Sequence, residues 1–190
     1  MDVHTWIGTD LAGVRSKLFD SVLGVVPRSR WVEQADDGGS SIVHLALHLA
    51  RHQDLAINTV IRNHAPLFFA HRSSLSLDDA PPYAGLTEHE NRDVTTVVPV
   101  DALVDFVETV FDATAAWHES TGSMALDTVP DTSRRLTDKA LLTRQDVDWL
   151  HRMWSDKPVW WLVQWPVIGH GNAHVGEAIS VRNRMGLSPF

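Results

Sequence analysis

Apolar residues recur along this chain at intervals of three and four, the period of an α-helix with one buried face. The first such stripe is Leu11, Val14, Leu18, Val22 and Val25, which predicts a helix from about Thr9 to Leu23. Thr9 or Asp10 can cap it, and Gly24 and Pro27 end it. A polar stretch closing on Asp36-Asp37-Gly38-Gly39 then reads as a loop. Ser40 or Ser41 caps a second predicted helix that runs to about His64, before Pro66. Its inward row is Leu45, His48, His52 and Leu55, so two imidazoles stand where a helix normally buries hydrocarbon.

The stretch from Pro66 to Pro99 also carries Pro81, Pro82 and Gly85, and a connection that long is expected to serve function, here by shaping a pocket. A third helix is predicted from Asp101 to His118, with Leu103, Val107, Val110, Thr114 and Trp117 inward. A short helix follows from Arg144 to Trp154. The last helix has Asp156 as its expected cap and Pro158 in its first turn. Pro166 lacks a backbone donor and crowds the carbonyl of Leu162, which predicts a kink or a restart. The inward row reads Val163, Val167, His170, His174, Glu177 and Val181, a seam of spacings four and three that ends before Gly186. These periods predict an all-α fold, a four-helix bundle with a long connection between its second and third helices. One domain over residues 1–190 is expected from the length of 190 residues.

Composition narrows the chemistry. Lys and Arg number 16 against 24 Asp and Glu, a net charge of −8. That disfavours nucleic acid and anionic membrane surfaces as partners. Neither a secretory leader nor an apolar run of membrane-spanning length is evident; the stretch from Pro158 to Gly169 contains Gln164 and Pro166. A cytoplasmic location is the expectation. The chain has no Cys, so disulfides, thiolate metal sites and cysteine nucleophiles are excluded. Its 11 His therefore become the first place to look for chemistry.

His170 and His174 project from one helix face a turn apart, and Glu177 continues that face. His44, His48 and His52 repeat the same spacing on the second helix, with His48 most central on its row. Burying these groups without partners is costly, and a divalent cation satisfies several lone pairs at once. Three His ligands leave a coordination position open, as catalytic sites do. Zinc is the first expectation, with nickel, iron and manganese also compatible. The competing reading is a set of packed core histidines bonded to carbonyls. Other chemistries lack their motifs. HGNAH has Gly171 where a metalloprotease helix carries its Glu, and there is no nucleophile elbow, P-loop or dinucleotide fingerprint.

The segment from Ser40 to Asp54, SSIVHLALHLARHQD, resembles the second-helix motif of the DinB/YfiT-like superfamily. His170-Gly171-Asn172-Ala173-His174-Val175-Gly176-Glu177, followed by Arg182 and Arg184-Met185-Gly186, is similar to its last-helix motif. Order and separation fit as well. The resemblance implies an up-down-down-up four-helix bundle, often a homodimer, with a divalent metal held by His48, His170 and His174. His44 and His52 then fall to supporting or surface positions. Val175 stands where many members carry Arg, which removes any anion contact that Arg supplies.

Relatives of that kind include thiol-dependent S-transferases and a mycothiol-using maleylpyruvate isomerase. The implied function is activation of a low-molecular-weight thiol by the metal for attack on an electrophilic small molecule. A stress-related metal-binding protein with hydrolase-like or no catalytic activity is the alternative. Glu177 is the candidate catalytic group, as an orienting partner for a ligand imidazole, a proton acceptor or a ligand itself; it can instead pair with Arg182 or Arg184. Arg182 is the candidate cosubstrate contact, and otherwise serves the helix C-terminus. Trp160, Trp161 and Trp165 are expected in packing or dimer contacts.

Overall fold

The computed structural model describes residues 2–35, 38–82, 93 and 95–189. The Asp36-Asp37 loop signal and Gly85 of the long connection lie outside the described residues. The fold is all-α, with no strand among the described residues. The helices are α1 (Val3–Leu18), α2 (Ile42–Asp54), α3 (Phe68–His71), α4 (Val100–Ser120), α5 (Thr132–Ala140), α6 (Arg144–Trp154), α7 (Val159–Leu162) and α8 (His170–Arg182). Each of α1 and α2 packs against both α4 and α8. No helix among the described residues is long and apolar enough to cross a membrane.

The caps explain where several helices begin. Asp2 accepts the Thr5 N–H, so α1 starts a turn and a half before the expected Thr9. Its buried stripe ends on Val26, and Val25 is exposed. Ser41 caps α2 by accepting the His44 N–H. Thr143 and Asp146 form a reciprocal capping box on α6, at the predicted boundary. The last helical run starts after Pro158 and not at Asp156, which takes a positive φ of 58°. Helix α5 was not expected. Only Leu136 and Ala140 of its apolar side chains are buried, too short a stripe to stand out in the sequence.

The chain does not restart at Pro166. The segment Val163–Gly169 widens to π winding and runs on into α8, with the His170 N–H bonding to the Trp165 carbonyl five residues back. A π turn absorbs an extra residue and advances the downstream face by about one position. Before it, Val159 and Leu162 are buried; within it, Val163, Pro166, Val167 and Ile168; after it, the stripe passes to Gly171, Val175, Ala178, Val181 and Arg182. The expected seam through His170, His174 and Glu177 is thus displaced to the edge of the core. His170 and His174 are half-buried, and Glu177 is exposed.

Two apolar clusters make up the interior. One gathers Ile42 to Ala50 of α2 with Val14, Leu103 to Phe111, and Val175 to Val181. The other gathers Leu55 to Val60 with Leu11, Trp117, Leu136, Trp154, and Val159 to Ile168. Between them lies a buried polar layer of Arg51, His52, Gln53, Asp54 and Thr114. Gln53 donates to the Thr114 hydroxyl at 2.8 Å. Asp54 accepts from the backbone N–H groups of Leu67 and Phe68 and from Asn58, which pins the chain entering α3. Arg51 donates to the Pro82 carbonyl and lies 4.3 Å from the centre of the Phe68 ring.

Gly171 sets how closely α1 meets α8. A Cβ there would sit 2.9 Å from Cγ1 of Val14, a stiff β-branched side chain in the core. Gly171→Ala is expected to lower stability in urea unfolding by about 1–3 kcal/mol, even though Ala is the better helix former. Adding Val14→Ala should make the double variant lose less than the sum of the two single losses. A stabilising Gly171→Ala would contradict this packing.

Candidate metal centre

Helices α2 and α8 lie side by side, and their His repeats meet where the polar layer crosses them. His48, His170 and His174 each bring one ring nitrogen within 4.8 Å of the others. His48 Nε2 stands 3.1 Å from His170 Nε2. The ring centres of His174 lie 4.7 Å from His48 and 4.4 Å from His170. All three side chains are half-buried. The three residues that the family resemblance implies as ligands are therefore brought together.

Two lone pairs facing each other at 3.1 Å repel unless a proton or a cation lies between them. Burial, together with the neighbouring imidazoles, lowers the His170 pKa to about 2, so the ring stays neutral and keeps a lone pair. His170 Nδ1 is buried with no hydrogen-bond partner among the described residues. A packed core histidine normally satisfies both nitrogens, as His151 does by pairing with Ser133 and the Leu142 carbonyl. The donor set suits a divalent cation: imidazoles from two helices, with no competing lysine or arginine in the group.

The supporting residues are also visible. Glu177 Oε2 accepts from His174 Nδ1 at 3.1 Å, which fixes the tautomer and leaves Nε2 as the available nitrogen. That hydrogen bond holds the Glu177 carboxyl below its usual range. His52 donates from Nδ1 to the Pro166 carbonyl at 3.0 Å. Its ring stacks on His170 with centres 3.8 Å apart and meets the edge of Trp154 at 5.0 Å. His52 therefore wedges the His170 ring in place. His44 stacks above His48 with centres 5.7 Å apart, and burial lowers it to about 4.

Arg182 is buried and turned away from this group. Its guanidinium donates to the Ser21 carbonyl beyond α1 and to Asn183, so in this conformation it ties helix ends together. Val175 is buried in the core.

A cavity of about 560 Å³ opens beside the imidazoles. His48, His52 and His170 line one side, and Trp149, Met153, Trp154, Trp161 and Trp165 line much of the rest. Trp161 and Trp165 thus border the site and are not simply packing residues. None of the described residues of the long connection after Pro66 lines it; helix α6 takes that part. Sequence reasoning placed α6 but gave it no role. The signal available was Trp149, Met153 and Trp154 on one short helix in a chain with 8 Trp.

No protein-family model matches the chain, and no curated protein matches it. A solved structure does: a conserved protein from Enterococcus faecalis, at a TM-score of 0.66 and 19% identity, over 98% of this chain and 99% of that one. At that identity the likeness is one of fold. It spans nearly the whole chain, including both helices that bring the imidazoles together.

His52 offers a direct check on the electrostatics. Burial lowers its pKa to about 4, against about 6.5 for an exposed imidazole. The unfolded chain therefore takes up this proton first as pH falls. The group's contribution is fully present above about pH 6.5 and is lost progressively toward pH 4, amounting to about 3 kcal/mol. Nitrogen-15 NMR of metal-free protein should show His52 neutral, with its proton on Nδ1, through pH 5. Titration near 6.5 would contradict the burial.

Proposed function

We propose that the chain is a DinB-like four-helix bundle that holds a divalent metal on His48, His170 and His174 and activates a low-molecular-weight thiol for attack on an electrophilic small molecule. The observation that carries the reading is the convergence of these three imidazoles within 4.8 Å of one another, with His48 and His170 also lining a cavity. The likeness of fold and the two helix motifs support it. A bound divalent cation supplies Lewis acidity, lowering the pKa of a coordinated thiol or water. The chain's own residues do the rest. His48 reaches across from α2, so closing the site depends on the α2–α8 contact. Glu177 acts as a positioning residue, keeping the proton on His174 Nδ1 and the ring turned toward the other two. His52 prevents the His170 ring from rotating. The indoles of Trp149, Trp154, Trp161 and Trp165 give an apolar wall to the cavity from which a substrate would approach. With no Cys in the chain, a reacting sulfur has to arrive with a cosubstrate.

Purified protein is expected to carry close to one equivalent of zinc or another divalent metal by elemental analysis. His48→Ala, His170→Ala and His174→Ala should each lose it, and full retention by all of them would overturn the assignment. Glu177→Ala should keep the fold and weaken metal binding by roughly 10–100-fold.

Incubation of the metal-loaded protein with mycothiol or bacillithiol and a generic electrophile such as monochlorobimane should consume thiol faster than the uncatalysed control. If no thiol is accelerated while metal content stays at one equivalent, the transferase reading fails. The hydrolase-like or non-catalytic metal protein then stands in its place.

A further inference from the structure

The cavity beside the imidazoles has a composition that selects its occupant. At about 560 Å³ it is sized for a small molecule rather than a peptide. Four indoles and Met153 contribute to its lining, and no carboxylate, lysine or arginine among the described residues does. The His52 N–H is already committed to the Pro166 carbonyl. A charged group entering here would give up hydration and find no carboxylate, lysine or arginine as a counter-charge among the described wall residues. Indole faces can attract cations, but Lys157 Nζ already stands 5.4 Å from the Trp161 ring centre and would repel a second one.

The wall is also flat. Trp161 and Trp165 are a turn apart, with ring centres separated by 6.5 Å and planes inclined by 31°. Trp165 remains 63% exposed and Trp149 40% exposed, which leaves large apolar faces in water beside a polar centre. Such faces are best covered by another flat apolar surface.

We propose that this cavity binds an uncharged, planar, apolar small molecule and presents it to the imidazole group as the electrophilic substrate. The term substrate rests on the metal-centre reading above; the binding itself does not.

The test uses three matched probes on metal-free protein, where no bound cation can serve as a counter-charge, by isothermal titration calorimetry: neutral 1-naphthalenemethanol, anionic 1-naphthoate and cationic 1-naphthylmethylammonium. The neutral probe should bind about tenfold or more tightly than either charged one, the loss expected for burying an uncompensated charge. Trp165→Ala should weaken the neutral probe by roughly 3–10-fold, with metal uptake and circular dichroism unchanged. Trp149→Ala provides a second variant on a separate helix, with the same expectation. Trp160→Ala, an exposed indole outside the cavity, should leave binding as it was.

His170→Ala separates the two claims. Loss of metal with retained binding of the neutral probe supports the cavity inference on its own. Absence of neutral-probe binding in protein that still takes up its metal overturns the inference and leaves the metal centre standing. Equal or tighter binding of a charged probe would also overturn it. So would Trp165→Ala and Trp149→Ala changing only the oligomeric state in sedimentation velocity, because the patch would then be a docking face for a second copy.

Discussion

The architecture turns on keeping imidazoles neutral inside a protein. Burial lowers His44 and His52 to about 4 and His170 to about 2, so these rings carry no charge at ordinary pH and their lone pairs are available. They sit where the two apolar clusters meet, beside a polar layer that runs through Arg51, His52, Gln53, Asp54 and Thr114. Most of that layer is satisfied by backbone carbonyls, backbone amides or neighbouring side chains. At the imidazole group the buried Nδ1 of His170 has no hydrogen-bond partner among the described residues, and the Nε2 atoms of His48 and His170 approach to 3.1 Å. A cation between the facing Nε2 atoms would take up both of their lone pairs.

Two backbone features aim the ligands. The π-wound segment Val163–Gly169, centred on Pro166, turns His170 and His174 from the core row to its edge, where both meet His48 of α2 and His170 also lines the cavity. Gly171 then lets Val14 of α1 close against the same helix from the other side. The proline carbonyl also receives the His52 N–H. A residue that looks like a defect in the helix therefore supplies both the register and a hydrogen-bond acceptor for a supporting imidazole.

Helical period made much of this legible in the sequence. The all-α fold and the shared face of His170 and His174 follow from spacings of three and four, while the choice of His48 as their partner comes from the DinB/YfiT-like resemblance. What was not legible depends on tertiary context. The π turn shifts the downstream face by one position, which no fixed period anticipates. The start of α1 hinges on one Asp2 side chain, and α5 buries only Leu136 and Ala140 among its apolar residues. The tryptophans were visible as composition, but only the crossing of α6 beside the last helical run makes them a cavity wall. Arg182 reads as a possible ligand contact in one dimension and serves Ser21 and Asn183 in three.

The central claim is that His48, His170 and His174 complete one metal centre across α2 and α8. X-ray absorption on zinc-loaded protein tests it most directly, because ring carbons give outer-shell scattering that counts imidazoles. The account predicts a nitrogen- and oxygen-only first shell with scattering from three imidazoles, falling to two in His48→Ala protein that has been reloaded with excess zinc. A spectrum with one imidazole or none, or one unchanged by His48→Ala, would contradict it.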